Sequence, residues 1–200
     1  MAITINGNGT ITGISVGGLP DGIVDTDMIA ANAVTNAKSS GLSGLTMADT
    51  WRLTASFQSQ NTDPEYLTTN WERDDTNGFG QLGTGMTESG GYFSFPSTGI
   101  YYMNFIGTFS TSGSGGDNYT LYIYTTTDNS NYNQRTRTLL GMDGNNNRPS
   151  SGSTACLFDV TNTSTHKVRF AVGSVASGSL AKGDTNANET HVTFMKLGET

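Results

Sequence analysis

The imidazole and thiol groups of this chain are few: His166, His191 and Cys156. In a general acid–base site such a group stands close to an oriented partner. His166 ends Thr161-Asn-Thr-Ser-Thr-His166, a turn composition, and His191 opens an alternating segment, so both read as solvated turn or strand-end residues. Cys156 lies in the apolar run Ala155-Cys-Leu-Phe158 with no histidine near it in sequence, and reads as a small core hydrophobe. As the single cysteine it can form no intrachain disulfide.

Carboxylates give the next chemistry to weigh. Glycoside hydrolysis takes two opposed acids, and Glu72, Asp74 and Asp75 are the densest acidic group. Arg73 inside the same stretch makes it read as a solvated, self-neutralising loop. Asp143-Gly-Asn-Asn-Asn147 offers hard oxygen ligands of the kind calcium takes, but lacks the distal bidentate glutamate and reads as a turn. No HExxH pair or Walker loop occurs. The expectation is a protein that is not an enzyme and takes no cofactor or metal. For surface contact with a ligand such as a glycan, the exposed aromatic, amide and carboxylate groups to consider are Trp71, Asp74, Asp75, Tyr132 and Asn145.

Charge narrows the partners. Ten Lys and Arg face seventeen Asp and Glu, a net charge of −7, and no basic run exists. Nucleic acid and anionic membrane both need clustered cations, so neither is expected as a partner. The apolar run around residues 11–16 is too short and too interrupted by glycine for a signal h-region.

The elements that would carry these residues fall in two parts, 1–46 and 47–200. No aromatic residue precedes the boundary; both tryptophans, nine phenylalanines and eight tyrosines follow it. Without aromatic burial the first part cannot build its own core. It contains two degenerate ten-residue copies, Asp21-Gly-Ile-Val-Asp-Thr-Asp-Met-Ile-Ala30 and Ala31-Asn-Ala-Val-Thr-Asn-Ala-Lys-Ser-Ser40, with Gly22 matching Asn32 and Val24 matching Val34. One reading is a free linker. The other is an anchoring and trimerising stem in which Ile3, Ile5, Ile11, Ile14, Val24, Ile29 and Val34 are buried against particle or partner chains.

The second part alternates strand and turn. Segments 51–58, 66–71, 91–95, 100–109, 119–126, 136–140, 154–160, 167–172 and 191–197 have strand patterns, separated by Gly, Asn, Ser and Pro clusters at 111–118, 143–152 and 183–188. About nine short strands predict an all-β, two-sheet jelly-roll sandwich. Its expected core is Trp51, Phe93, Tyr101, Phe105, Tyr122, Phe158, Phe170 and Phe194.

Phe95-Pro-Ser-Thr-Gly-Ile-Tyr-Tyr-Met-Asn-Phe105 resembles the signature strand pair of the C1q/TNF-like jelly roll, and 55–57 and 193–197 resemble that family's first and last strands. The resemblance covers about residues 48–198 and implies a homotrimer with those strands near its axis. Ile3-Thr-Ile-Asn-Gly-Asn-Gly-Thr10, Gly18-Leu-Pro-Asp-Gly22 and Ala31-Asn-Ala-Val-Thr-Asn-Ala-Lys38 resemble the start of tail-fibre and virion-appendage proteins of tailed bacteriophages. That resemblance implies a stem docking on other virion structural proteins and a head displayed outward. A free-standing C1q-like lectin or adhesin is the alternative.

Overall fold

Alternation along 99–110 is regular enough to build a twelve-residue strand that buries every second side chain, and the rest of the sandwich is arranged on it. The computed structural model describes residues 4–5, 11–12, 44–60, 62–76, 78–110, 118–141, 149–173 and 179–200. The chain divides into two units, Met1–Gly44 and Leu45–Thr200. In the first, β1 (Thr4–Ile5) and β2 (Ile11–Thr12) pair antiparallel, with Ile5 opposite Ile11. The expectations for Ile3, Ile14, Val24, Ile29, Val34 and the ten-residue copies lie outside the described residues.

The second unit is a two-sheet antiparallel sandwich, and no helix occurs among the described residues. One sheet is built on β9 (Gly99–Ser110), flanked by β12 (Ser150–Val160) on one side and β15 (His191–Gly198) on the other. Beyond β15 come β3 (Met47–Leu53) and β6 (Trp71–Arg73), while β14 (Leu180–Asp184) joins the end of β9 and carries β4 (Ala55–Gln58). The other sheet runs β11 (Asn133–Gly141), β10 (Asn118–Thr126), β13 (Lys167–Gly173), β8 (Tyr92–Ser94), β7 (Thr87–Ser89), with β5 (Glu65–Tyr66) also on β13. Gly90 and Gly91 join β7 to β8 with φ of 61° and 83°. Both-positive φ is the type I′ geometry that suits a two-residue hairpin and that glycine adopts without strain.

The inner faces meet in an aromatic core. Phe93 stands at its centre, with ring centroids of Trp51, Trp71, Phe170 and Phe194 between 5.3 and 5.5 Å away for Trp71, Trp51, Phe170 and Phe194 alike. Such edge-on and tilted contacts add to the area these rings bury. Phe93, Tyr101, Phe105, Phe158, Phe170 and Phe194 are buried as expected.

Two expected core residues are placed differently. Trp51 is only partly buried, because it lies at the margin where Arg73 stacks on it, 4.7 Å from its ring centre. Tyr122 is buried on the opposite face of its sheet: β10 turns Tyr119, Leu121 and Ile123 inward, so strict alternation sends Tyr122 and Tyr124 outward, where Tyr66 and Tyr132 cover them. The expected strand at 66–71 is also divided. Residue Asn70, at φ 66°, turns the chain between sheets, so β5 pairs with β13 and β6 with β3. The turn expected over 183–188 begins instead within β14.

Candidate functional site

The acidic group at 72–75 is a structural ion network. On β6, Glu72 lies opposite Arg52 of β3, whose side chain is 0% exposed. Arg52 Nε donates to Glu72 Oε1 at 2.8 Å, Nη1 to Asp74 Oδ1 at 2.9 Å and Nη2 to Thr76 Oγ1 at 3.1 Å. Thr185 Oγ1 donates to Glu72, and Asn188 Nδ2 to Asp74 Oδ2 at 2.6 Å, so the segment after β14 closes over the network. The solvated-loop reading is therefore corrected for Glu72 and Asp74: an arginine twenty residues away neutralises them, and Asp74 is closed to solvent with it. Asp74, 2% exposed, is not a surface contact; burial under Asn188 removes it from any external ligand. Asp75 is exposed. Trp71 is half-buried, its Nε1 donating to the Leu67 carbonyl at 2.8 Å and its ring packed on Phe93 and Phe170. Asn145 lies outside the described residues.

Neither histidine is a solvated turn residue. His166 is buried, with Thr161 Oγ1 at 3.2 Å from Nε2, Thr165 Oγ1 at 3.1 Å from Nδ1, and its ring tilted on Phe158. His191 has a buried Nδ1, and burial pushes its imidazole below the ordinary value against the opposing influence of the Glu189 and Asn188 backbone and the Asp74 charge. Burial pushes the Cys156 thiol up, which disfavours the nucleophilic thiolate. No group of three or more His, Cys, Asp or Glu able to hold a metal ion occurs among the described residues. No helix among them is long and apolar enough to cross a membrane.

Two sheet faces remain for contact. The outer face of the β9 sheet carries cross-strand rows read directly from the register: Ala48, Met195, Tyr102 and Leu157 in one, Thr50, Thr193, Asn104 and Ala155 in the next. Neither row contains a charge. Leu157 is 61% exposed, and Tyr102, Asn104, Thr193 and Met195 are half-buried. An antiparallel sheet with a solvated face ordinarily alternates apolar-in with polar-out. Here these two rows are uncharged, with the charges of the same face set to either side of them, at Arg52 and Glu72 in the next row and at Asp159 on β12.

The outer face of the opposite sheet is tyrosine-rich. Arg169 of β13 stacks on Tyr66, with Cζ 3.4 Å from the ring centre, and lies 4.3 Å from the Tyr132 centre. Its Nη1 donates to Tyr92 Oη at 3.3 Å. Beneath, Tyr122 donates its hydroxyl to Asp63 Oδ1 at 2.8 Å; burial first, and this bond second, push its phenol above the ordinary value. Burial likewise raises the Tyr132 phenol. A turn at 128–131, drawn tight by Asp128, completes the rim: Asp128 Oδ1 accepts from the Ser130 and Asn131 amides at 2.9 and 2.7 Å. Together these enclose an open groove of about 590 Å³ lined by Tyr92, Tyr132, Lys167 and Arg169, with Ser94 and Ser130 among its hydroxyls. Of the residues singled out in the sequence, Tyr132 alone is in this groove. Lys167 and Arg169 were legible in Lys167-Val-Arg-Phe170, where alternation puts two cations on one face; Tyr66 and Tyr92 carried no such signal.

No family model matches the chain, and no curated protein does. Solved structures do share its fold. Murine APRIL at pH 5.0 superposes with a TM-score of 0.55 at 12% identity, over 76% of this chain and 98% of that one. Eiger TNF from S. frugiperda gives 0.56 at 12% identity, over 76% and 93%. The vertex protein P5 of bacteriophage PRD1 gives 0.50 at 15% identity, over 78% and 100%. At these identities the likeness is one of architecture, and the β unit has a TNF-like jelly-roll fold.

Proposed function

We propose that this chain is a virion structural protein, a homotrimeric tail fibre or capsid-decorating appendage made in the host cytoplasm and carried on the exterior or tail of a phage particle. Residues 1–46 dock on other virion structural proteins, and the β unit is displayed for stabilisation or host-surface adhesion. Its work is assembly and contact rather than turnover. The observation that carries the reading is the pair of uncharged rows on the outer face of the β9 sheet, those through Tyr102 and Asn104, which leave Leu157 in solvent and call for a covering copy. The threefold arrangement implied by the C1q-like strand motif supplies such a cover, and the architecture shared with PRD1 vertex protein P5 supports a place on a virion.

Light scattering on the purified full chain tests the assembly: a mass near three times 21.1 kDa is expected, and a monomer at micromolar concentration overturns it. Imaging of intact particles tests the location. The tyrosine-lined groove favours one second reading, a free-standing glycan-binding adhesin. Deleting residues 1–44 separates the two: loss of particle incorporation belongs to the first, and unchanged surface adhesion without any particle to the second.

A further inference from the structure

Arg169 is held but not satisfied. A guanidinium offers five N–H donors in a planar fork, yet this one makes a single hydrogen bond, the long one to Tyr92, and its buried Nε has no acceptor among the described residues. Lys167 lies two residues along β13 on the same face, roughly 7 Å away by strand geometry, and forms no ion pair among the described residues. Two cations without carboxylate partners are unexpected in a chain of net charge −7. No carboxylate lines the groove, and Asp128 of the adjoining turn directs both oxygens into that turn: besides the two amides, Oδ1 accepts from Thr126 Oγ1 and Oδ2 from Asn131 Nδ2. The guanidinium therefore keeps hydrogen-bonding capacity that no carboxylate among the described residues takes up, a state that asks for an ion, a water or a functional role.

The remaining lining defines the ligand. Stacking between Tyr66 and Tyr132 fixes the guanidinium plane, which suits bidentate pairing with a carboxylate. Tyr92, 39% exposed and lining the groove, supplies aromatic surface of the kind that packs on the apolar side of a sugar. Ser94, Ser130 and Asn129 provide short hydroxyl and amide partners for its hydroxyls. The groove's volume of about 590 Å³ falls within the range of small-ligand sites.

We propose that this groove binds a carboxylated sugar, with Arg169 and Lys167 holding the carboxylate, Tyr92 under the ring, and Ser94, Ser130 and Asn129 reading the hydroxyls. The inference rests on the reading of the β unit as a displayed contact domain, and names the class of surface it contacts: an acidic polysaccharide.

The experiment uses the full chain and a tetramer of a glucuronic acid polymer, with a neutral glucose tetramer and inorganic phosphate as comparison ligands, followed by calorimetry. The uronate tetramer is expected to bind, to weaken with added salt, and to bind at least about tenfold tighter than the neutral tetramer, as loss of a charge-assisted pair implies. Lys167→Gln and Arg169→Gln are each expected to weaken it about tenfold. Because Arg169 supports the tyrosines, Lys167→Gln, whose parent side chain makes no ion pair among the described residues, decides the matter if Arg169→Gln unfolds. Absence of uronate binding, equal affinity for the neutral tetramer, or affinity unchanged by Lys167→Gln overturns the proposal. Phosphate binding as tightly as the uronate overturns the sugar assignment in favour of a small-anion site. Light scattering on the same sample reads the trimer separately, so failure of the groove and failure of the assembly are distinguishable.

Discussion

Arg52 Nη1 and Asp74 Oδ1 are 2.9 Å apart with both side chains closed to solvent. Removing one member of such a pair strands the other in a medium that cannot solvate it, at a cost of about 3–5 kcal/mol. Arg52→Met is expected to destabilise the β unit by that amount in urea unfolding at fixed protein concentration. Adding Asp74→Leu and Glu72→Gln to it should restore most of the loss. A single variant as stable as the parent would show that the pair contributes nothing.

The same network marks where sequence reading stopped. Arg73 was the visible counter-charge in 72–75, but alternation along β6 directs it to Asp49, whose Oδ1 lies 3.1 Å from its Nε, and leaves Glu72 and Asp74 to an arginine on the neighbouring strand. Strand pairing at a separation of twenty residues is invisible to local composition. Tyr122 was misplaced for a related reason. Its own strand alternates cleanly, but every position from Tyr119 to Thr126 is buried, because β5 and the 128–132 turn cover the outer face from elsewhere in the chain. What could be read was the two-sheet architecture and the aromatic core. Those depend on period-two patterning and turn residues, which are local. The groove depends on which strands become neighbours; Tyr132 stood out as an aromatic in a polar turn, the alternation of Lys167 and Arg169 left a local trace, and the other lining residues left none.

Phe93 has four aromatic neighbours within 5.5 Å, drawn from both sheets. Truncation leaves a cavity that rigid rings cannot fill. Phe93→Ala should cost about 3–5 kcal/mol, measured by chemical unfolding. A loss under about 1 kcal/mol would mean that the core collapses around the gap, contrary to close packing.

Leu157 is exposed in the single chain and continues the uncharged row through Tyr102 and Met195. Leu157→Glu should therefore leave the folded content by circular dichroism unchanged while converting the proposed trimer to monomer in light scattering, since an unpaired charge is costly at a covered surface. A trimer that survives the substitution would place the subunit contact elsewhere.

His191 links stability to pH. Its folded pKa is lowered, chiefly by burial. The unfolded chain takes up the proton near the ordinary value of about 6.5 while the folded chain resists it, so the contribution is complete above that pH and is lost as the solution is acidified below it. The urea midpoint is expected to fall between about pH 7.5 and pH 5.5, and His191→Gln should flatten that part of the profile. An identical fall in the variant would assign the dependence to other groups.

Asp128 works in the same pH sense as His191 but over a more acidic range, and it holds the turn at the rim of the groove. Hydrogen bonds from the Asn131 side chain and amide, then from the Ser130 amide and Thr126, hold its carboxyl well below the usual carboxylate range. A depressed folded value means that the staple is complete above the unfolded carboxylate pKa of about 3.9 and is released only as pH falls through the lower folded value. The Ser130 and Asn131 amides should therefore keep their exchange protection down to about pH 4. Asp128→Ala removes all four acceptor contacts at once and should speed exchange of those two amides by hydrogen-exchange measurement, with Phe93 and Phe170 unaffected in the core. Because Ser130 and Tyr132 both line the groove, the same variant should weaken uronate binding although residue 128 does not itself line it. Unchanged exchange in Asp128→Ala would mean that the turn is held by its backbone geometry, with Asn129 at φ 57°, and that the carboxylate is incidental to the groove's shape.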